Sequence, residues 1–122
     1  MLIEKWVEKH PKKWGYEIWM VNTELYCGKI LHLYEGRKCS LHYHKLKDET
    51  FYVLEGKILL EVEDEKTVLY EGESVHIPPG TKHRFGGLKD SDIIEISTQH
   101  FETDSYRLSE SGGEISEEDM KR

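Results

Sequence analysis

Three histidines and one glutamate have the residue types and spacing of a metal site. His42 and His44 lie two residues apart on a predicted strand, so both side chains point to one face. Glu49 follows at the start of the next predicted strand, and His83 comes later, after a Pro-Gly turn. Three imidazoles and one carboxylate suit a divalent Mn, Fe, Ni or Zn ion. Four such ligands on a six-coordinate ion leave positions open for water or substrate, as catalysis requires.

A frame of glycines and one proline surrounds these residues, although a single histidine on a strand is more often part of a polar face. The frame reads Gly36, five residues, His42-x-His44, four residues, Glu49, six residues, Gly56, and then Gly72, five residues, Pro78-x-Gly80, two residues, His83. It resembles the two-part signature of the cupin superfamily, except that Gly87 stands where the family often has Asn. The resemblance implies an all-β fold, a jelly-roll or double-stranded β-helix barrel of two antiparallel sheets. It also implies a divalent metal inside one mouth of the barrel, with the ligands His42, His44, Glu49 and His83.

The elements that must position these residues are predicted to be short strands. Hydrophobic residues make up 37 % of the 122 residues and charged residues 34 %, which favours sheets with one apolar face over a parallel α/β fold. Runs of β-forming residues between Gly and Pro turns predict strands near 16–21, 27–34, 38–44, 50–55, 57–63, 66–70, 74–77, 82–85 and 92–98.

The two ends of the chain have a different composition from the middle. Residues 9–13, rich in lysine, are predicted to form a loop. We expect one domain over residues 1–108 and a flexible acidic tail over 109–122. Within that tail, residues 116–119 favour a short helical turn, which is marginal in isolation.

Further segments resemble the cupin domain of type II mannose-6-phosphate isomerases. They are Trp14-Gly15-Tyr16-Glu17, Ser40-Leu41-His42-Tyr43-His44, residues 73–78, His83-Arg84, residues 93–96 and Asp104-Ser105-Tyr106-Arg107. Lys13 replaces the proline that this family has before Trp-Gly, and the spacing from His42 to Glu49 is longer. The resemblance spans about residues 13–107 and implies a metal-dependent isomerase or epimerase of a sugar or sugar phosphate.

Such an isomerase must move a proton between C1 and C2 of an open-chain sugar, so it needs a base beside the metal. The candidates on nearby strands are Glu95, His100, Tyr52 and Lys45. We take Glu95, Lys45 and Arg107 as the catalytic set, with Glu95 assigned by the resemblance alone.

A phosphate on the substrate requires cations at the cleft. Arg107 and Lys29 match family positions, and Arg84 directly follows a predicted ligand, although each is also consistent with a solvated surface charge. A sugar can stack on aromatic rings, and the candidates for such stacking are Trp14, Tyr16, Trp19, Tyr34 and Phe51. Aromatic residues of this kind are more often part of the core or of a dimer interface.

Two other functions use the same ligands. One is a non-haem metal dioxygenase acting on a small molecule, which an apolar pocket without basic residues favours. The other is a non-catalytic, sugar-binding cupin, which the absence of a base near the metal favours.

The net charge and the N-terminal sequence indicate which partners and which location to expect for the protein. The net charge of −7 disfavours nucleic acid and anionic membranes. The start of the chain has no apolar signal-peptide region, so we expect a cytoplasmic protein. The simplest interpretation of its two cysteines, Cys27 and Cys39, is then that both are free thiols, although a disulfide between them is the alternative. An apolar run at 14–21, taken as an unpaired sheet edge, predicts a homodimer.

Overall fold

A computed structural model describes residues 6–122 of the chain. This part of the chain forms thirteen strands, one 3-10 turn at Glu102–Asp104 and one short helix, α1, at Glu117–Met120. The strands are β1 (Glu8–Lys12), β2 (Gly15–Asn22), β3 (Cys27–Leu33), β4 (Arg37–Lys38), β5 (His42–Tyr43), β6 (Glu49–Glu55), β7 (Lys57–Val62), β8 (Glu65–Tyr70), β9 (Ser74–Ile77), β10 (His83–Gly87), β11 (Ser91–Ser97), β12 (Tyr106–Arg107) and β13 (Gly113–Glu114).

These strands form two antiparallel sheets. The first, sheet A, has the order β1-β2-β3-β11-β6-β9. The second, sheet B, has the order β12-β5-β10-β4-β13, and β7 pairs with both β10 and β8. Leu33, Val53 and Ile93 of sheet A share one apolar core with Ile58 and Phe85 of sheet B. The prediction of an all-β fold with two antiparallel sheets is confirmed.

Strict alternation along the central strands of sheet A decides which polar side chains point inward. On β11, Ser91, Ile93, Glu95 and Ser97 are all buried. On β3, the buried Lys29 lies on the same inward face and is the Cα partner of Glu95. Two charged residues therefore point into the interior, beside the apolar core, which is a costly arrangement unless other charges lie close to them.

Most of the predicted strands match the structure to within about two residues. The predicted strand 38–44 is divided into β4 and β5 by an irregular segment at 39–41. The prediction of a loop at 9–13 is wrong for residues 9–12, because they belong to β1, which pairs with β2, and only Lys13 lies in the turn that follows. Pro11 is tolerated there because β1 is at the edge of sheet A, where one side of the strand needs no N–H donor.

The segment after residue 108 is not the loose tail that its composition predicts. Strand β13 pairs with β4, and Ile115 is 7 % exposed against Leu59 and Leu88. The predicted helical turn is present as α1, where the Asp119 N–H donates to the Ser116 hydroxyl at 3.1 Å. One buried isoleucine in a polar stretch anchors the segment, and average composition does not reveal such an anchor.

Strand β2 is not an unpaired edge. It is hydrogen-bonded to β1 on one side and to β3 on the other, so the reason given above for a homodimer does not hold. Cys27 and Cys39 are both buried and free, as the simpler alternative predicts.

Candidate metal centre

Three histidine side chains converge between the two sheets. His42 begins β5, His44 follows that strand, and His83 begins β10. The antiparallel pairing of β5 with β10 makes His83 the Cα partner of His42. One ligand atom from each of the three imidazoles lies within 4.8 Å of the other two, which is close enough to share one ion.

A backbone carbonyl orients each ring. Nδ1 of His42 donates to the Ser40 carbonyl at 2.7 Å, and Nδ1 of His83 donates to the Thr81 carbonyl at 2.9 Å. Nδ1 of His44 donates to the Asp104 carbonyl at 2.9 Å. Since a carbonyl only accepts, Nδ1 carries the proton and Nε2 keeps a free lone pair, as in metal-bound histidines.

Glu49 completes the cluster at the start of β6. Its carboxylate oxygens lie 3.6 Å from Nε2 of His44 and 3.4 Å from Nε2 of His83. Burial alone raises the pKa of Glu49, but contact with His83 and the charge of Lys47 outweigh it and lower that pKa to about 2. The carboxylate is therefore ionised at neutral pH.

Burial favours the neutral forms of His42 and His44. Burial, reinforced by His83, lowers the pKa of His42 from 6.5 to about 3. Burial also lowers the pKa of His44, although the Glu49 carboxylate opposes the shift. A metal binds neutral imidazole, so the protein holds these groups in the form that a metal requires.

The residues fit a divalent cation. Nε2 of His83 is buried and, within residues 6–122, makes no hydrogen bond, which is costly for a polar atom unless another partner takes its lone pair. Three imidazole nitrogens and one carboxylate form a suitable set of donors for a mid-to-late first-row metal.

A second group of charges adjoins the cluster, and its central residue was not predicted from the sequence. Lys47 is buried, and its Nζ lies 3.1 Å from Glu49 and 3.1 Å from Glu95. Nζ of Lys47 also donates to Nδ1 of His100 at 3.0 Å. Burial lowers the pKa of Lys47, but the two carboxylates outweigh it and raise that pKa above its ordinary value. Lys47 therefore carries its charge inside the protein.

Lys45, one of the three predicted catalytic residues, lies elsewhere. It is exposed, and its Nζ lies 4.4 Å from the centre of the Tyr106 ring, outside the cavity. The segment between β5 and β6 is irregular, so strand alternation does not apply, and Lys47 rather than Lys45 turns inward. The other two, Glu95 and Arg107, both line the cavity.

One cavity is lined by His42 and His44, by the Lys47 group and by several other cations. Glu95 is buried there, while Arg107 is on β12 at an exposed position, where it is the Cα partner of His42. Lys12 of β1 and Lys29 also line it, and Lys29 is paired with Glu17 at 3.4 Å. The cavity walls include Trp14, Trp19 and Phe51 as well as the aliphatic Leu31 and Leu33.

Several other candidates lie outside this cavity. Arg84 pairs with Glu61 of the neighbouring strand β7. Tyr16 stacks on His32, while Tyr34 and Tyr52 are exposed at 45 % and 39 %. None of these four lines the cavity. Within residues 6–122, no helix has the length and apolar character needed to cross a membrane.

Comparison with known proteins places this arrangement in a family. The family model described as Cupin domain matches residues 29–96, and the chain belongs to this family. Its two sheets are therefore the cupin jelly roll that the signature predicts.

Two sequence relatives and one structural neighbour show what the chain is similar to. A mannose-1-phosphate guanylyltransferase from Sinorhizobium fredii is 32 % identical over 96 residues, covering 75 % of this chain and 19 % of that protein. A D-lyxose ketol-isomerase from Cohnella laeviribosi is 34 % identical over 106 residues, covering 64 % of this chain and 58 % of that protein. Oxalate decarboxylase from Bacillus subtilis shares the fold with a TM-score of 0.75 and 21 % identity, over 84 % of this chain and 30 % of that one. The chain spans less than two thirds of each relative's length.

Proposed function

We propose that the chain is a metal-dependent isomerase or epimerase of a sugar or sugar phosphate, of the mannose-6-phosphate kind. The observation that carries this proposal is the contact between a cluster of metal-ligand residues and a buried Lys47–Glu95 pair in one cavity. The similarity to a protein named D-lyxose ketol-isomerase supports the same class of reaction.

His42, His44, Glu49 and His83 would hold the divalent Mn, Fe, Ni or Zn ion. When bound, such an ion supplies Lewis-acid stabilisation of the sugar oxygens on which negative charge develops. The carbonyls of Ser40, Thr81 and Asp104 keep the imidazoles oriented toward it.

Glu95 is our candidate for the base that carries the proton between C1 and C2. Its Oε2 accepts hydrogen bonds from Nζ of Lys47 at 3.1 Å and from the Ser97 hydroxyl at 3.0 Å. These two donors fix the position of the carboxylate beside the cluster. Burial and the Lys47 charge lower the pKa of His100 to about 3, so that neutral His100 accepts from Lys47 and holds the ammonium group in place.

The substrate's charged group would lie at the cation-lined part of the cavity. Arg107 is exposed at its rim, and Lys12 lines the same cavity. Guanidinium and ammonium groups bind phosphate well, so Arg107 serves in binding rather than in proton transfer. Trp14 and Trp19 offer aromatic surface for the sugar ring.

The cavity gives less support to the two alternatives. A dioxygenase for an apolar substrate is compatible with the ligand set and with the aliphatic part of the wall, but four cations line the same cavity: Lys12, Lys29, Lys47 and Arg107. A purely sugar-binding cupin needs no base, whereas Glu95 is buried beside the histidine cluster.

The direct test is an assay of purified protein loaded in turn with Mn, Fe, Ni or Zn. Lyxose, mannose and mannose 6-phosphate carrying deuterium at C2 are the substrates, and ketose formation and release of deuterium are measured. We expect Glu95→Gln to lower turnover at least about a hundredfold, the usual contribution of a general base. Glu55→Gln, an exposed change on β6, should not alter it.

Removal of ligands provides a second arm. His44→Ala and Glu49→Ala should lose both bound metal and activity while the fold, followed by circular dichroism, is retained. Full activity in metal-free protein would overturn the proposal. Oxygen uptake with flavonol or catechol substrates, without sugar turnover, would favour the dioxygenase.

We also propose that the chain forms a homodimer, now through the outer face of sheet A. Registers place Ile18, Ile30, Ile94 and Tyr52 side by side across four strands, and Ile96 beside them is 61 % exposed. This row carries no charge, so two copies of a chain with a net charge of −7 can approach there with little repulsion. The sheet face of a second copy has the matching shape, since sheets pack face to face through such apolar rows.

A further inference from the structure

The loop between the two ligand-bearing strands β5 and β6 is held by one carboxylate. Asp104, in the 3-10 turn, is 3 % exposed. Its Oδ1 accepts from the backbone N–H of Lys45 at 2.9 Å, and its Oδ2 accepts from that of Lys47 at 3.0 Å. The N–H of Leu46 between them points to both oxygens, at 3.1 and 3.3 Å. Three successive amides thus surround a single anion, in the manner of an anion-binding nest.

The same residue also orients a histidine of the candidate metal centre. Nδ1 of His44 donates to the Asp104 backbone carbonyl at 2.9 Å. His42 and His83 donate instead to carbonyls two residues earlier in their own segments. Of the three imidazoles, therefore, only His44 depends on a distant part of the chain, sixty residues away.

The two contacts act on two groups of the site together. The amide contacts fix the backbone that carries Lys47, and the carbonyl contact fixes the ring of His44. His100, just before the 3-10 turn, accepts from Nζ of Lys47, so one short segment holds Lys47 at both its backbone and its side chain. Charge-assisted hydrogen bonds of this kind are stronger than neutral ones, and the site is buried.

We propose that Asp104 is a positioning residue, whose carboxylate sets the loop conformation that brings His44 and Lys47 into the metal centre. This inference rests on the proposed function only through the metal site. According to this proposal, the 3-10 turn controls the affinity for a divalent cation, although the turn itself supplies no ligand.

The experiment titrates metal-free protein with Co²⁺ alone, following the visible absorption of the bound ion. Asp104→Asn keeps the shape of the side chain but replaces one acceptor oxygen with a donor and removes the charge. We expect the dissociation constant for Co²⁺ to rise about 10- to 100-fold, the usual effect of losing a group that orients a ligand. The absorption spectrum should change as well, because the His44 ring is no longer fixed.

The matched control is Asp90→Asn. Asp90 also accepts a backbone N–H, that of Glu35 at 2.8 Å, but it lies outside the cavity. This variant should bind Co²⁺ as the wild type does. Asp104→Ser is measured in parallel. If one of the two Asp104 variants does not fold, the other still tests the role of Asp104.

The outcomes separate the two proposals. Wild-type protein that binds no Co²⁺ overturns the proposed metal centre itself. Wild-type protein that binds it, together with a folded Asp104 variant of equal affinity and unchanged spectrum, overturns only the role of Asp104. A weaker affinity with unchanged circular dichroism supports that role, because a purely structural residue would alter the fold and the affinity together.

Discussion

Lys47 lies between two carboxylates inside the protein, and its charge is what permits both of them to be buried. Removal of one partner from a buried ion pair leaves an uncompensated charge and costs about 3 to 5 kcal/mol. Lys47→Met keeps the length of the side chain but removes the ammonium group that lies 3.1 Å from both Glu49 and Glu95. We expect the free energy of unfolding, measured in urea, to fall by about 3 kcal/mol or more.

Lys45→Met is the matched control, two residues away. Its ammonium group is exposed and contacts only the Tyr106 ring in the described structure, so the change should cost less than about 1 kcal/mol. Equal losses in the two variants would contradict the ion cluster described here.

His100 makes a pH dependence testable. Its pKa falls from 6.5 to about 3 on folding, so between these values the unfolded chain binds more protons than the folded one. The free energy of unfolding of metal-free protein should therefore decrease as the pH drops from about 6.5 toward 3. His100→Asn retains an acceptor for Lys47 but cannot be protonated, so its dependence should be shallower.

Urea unfolding at several pH values between 7 and 4 measures this effect. His76→Asn is the comparison, because the His76 side chain is 59 % exposed on the outer face. Parallel curves for wild type and His100→Asn would show that His100 contributes nothing to the slope.

The sequence predicts the site unevenly at this scale. His42, His44, Glu49 and His83 were all predicted as ligands, because they occur at fixed spacings in a recognisable frame, and the structure brings their side chains together. Lys47 was not, because alternation predicts direction only within a strand, and it occupies an irregular loop. The role of Asp104 depends on backbone amides 57 to 59 residues away, which no local pattern reveals.

At the scale of elements, the C-terminal segment contributes one buried apolar side chain, that of Ile115. Ile115 packs against Leu59 and Leu88, and its Cδ1 would lie 2.8 Å from a Cβ added to Gly86, so the side chain sits close against β10. Ile115→Ala should lower the free energy of unfolding by about 2 to 4 kcal/mol.

Leu108→Ala is the comparison for this effect. Leu108 precedes the segment and is 50 % exposed, so its loss should cost little. Limited proteolysis gives a second measurement, since Ile115→Ala should expose residues after 108 to cleavage. A variant as stable and resistant as the wild type would mean that the segment is attached only loosely.

Strands were predicted better than the ends of the chain. β3, β6 and β11 have the alternation of a half-buried sheet, and their bounds were found to within about one residue. β1, β12 and β13 are polar edge strands whose partners, not their own residues, determine their conformation. A sequence pattern reflects the strand preference of the residues themselves and contains no information about the partner strand.

At the scale of the whole molecule, the outer face of sheet A predicts the state of association. Ile96→Glu places a charge directly beside the apolar row, at a position so exposed that the monomer fold is unaffected. We expect sedimentation at micromolar concentration to show a dimer for the wild type and a monomer for this variant. Like charges across a two-fold axis repel each other, which favours dissociation.

Leu25→Glu is the control, since Leu25 is 84 % exposed but lies outside any described strand. It should remain dimeric. A wild-type monomer under these conditions would rule out the proposed interface.

The position of β11 has a consequence for how the chain reaches this structure. β11 lies between β3 and β6 although it is the last of the sheet A strands to be synthesised. Until residues 91–97 are available, β1-β2-β3 and β6-β9 remain two separate pieces. Pairings of such large sequence separation form slowly. Because β11 also carries Glu95, the step that joins the two pieces also brings the candidate base to its place. A chain in which this step has not occurred would hold the histidines without Glu95 beside them.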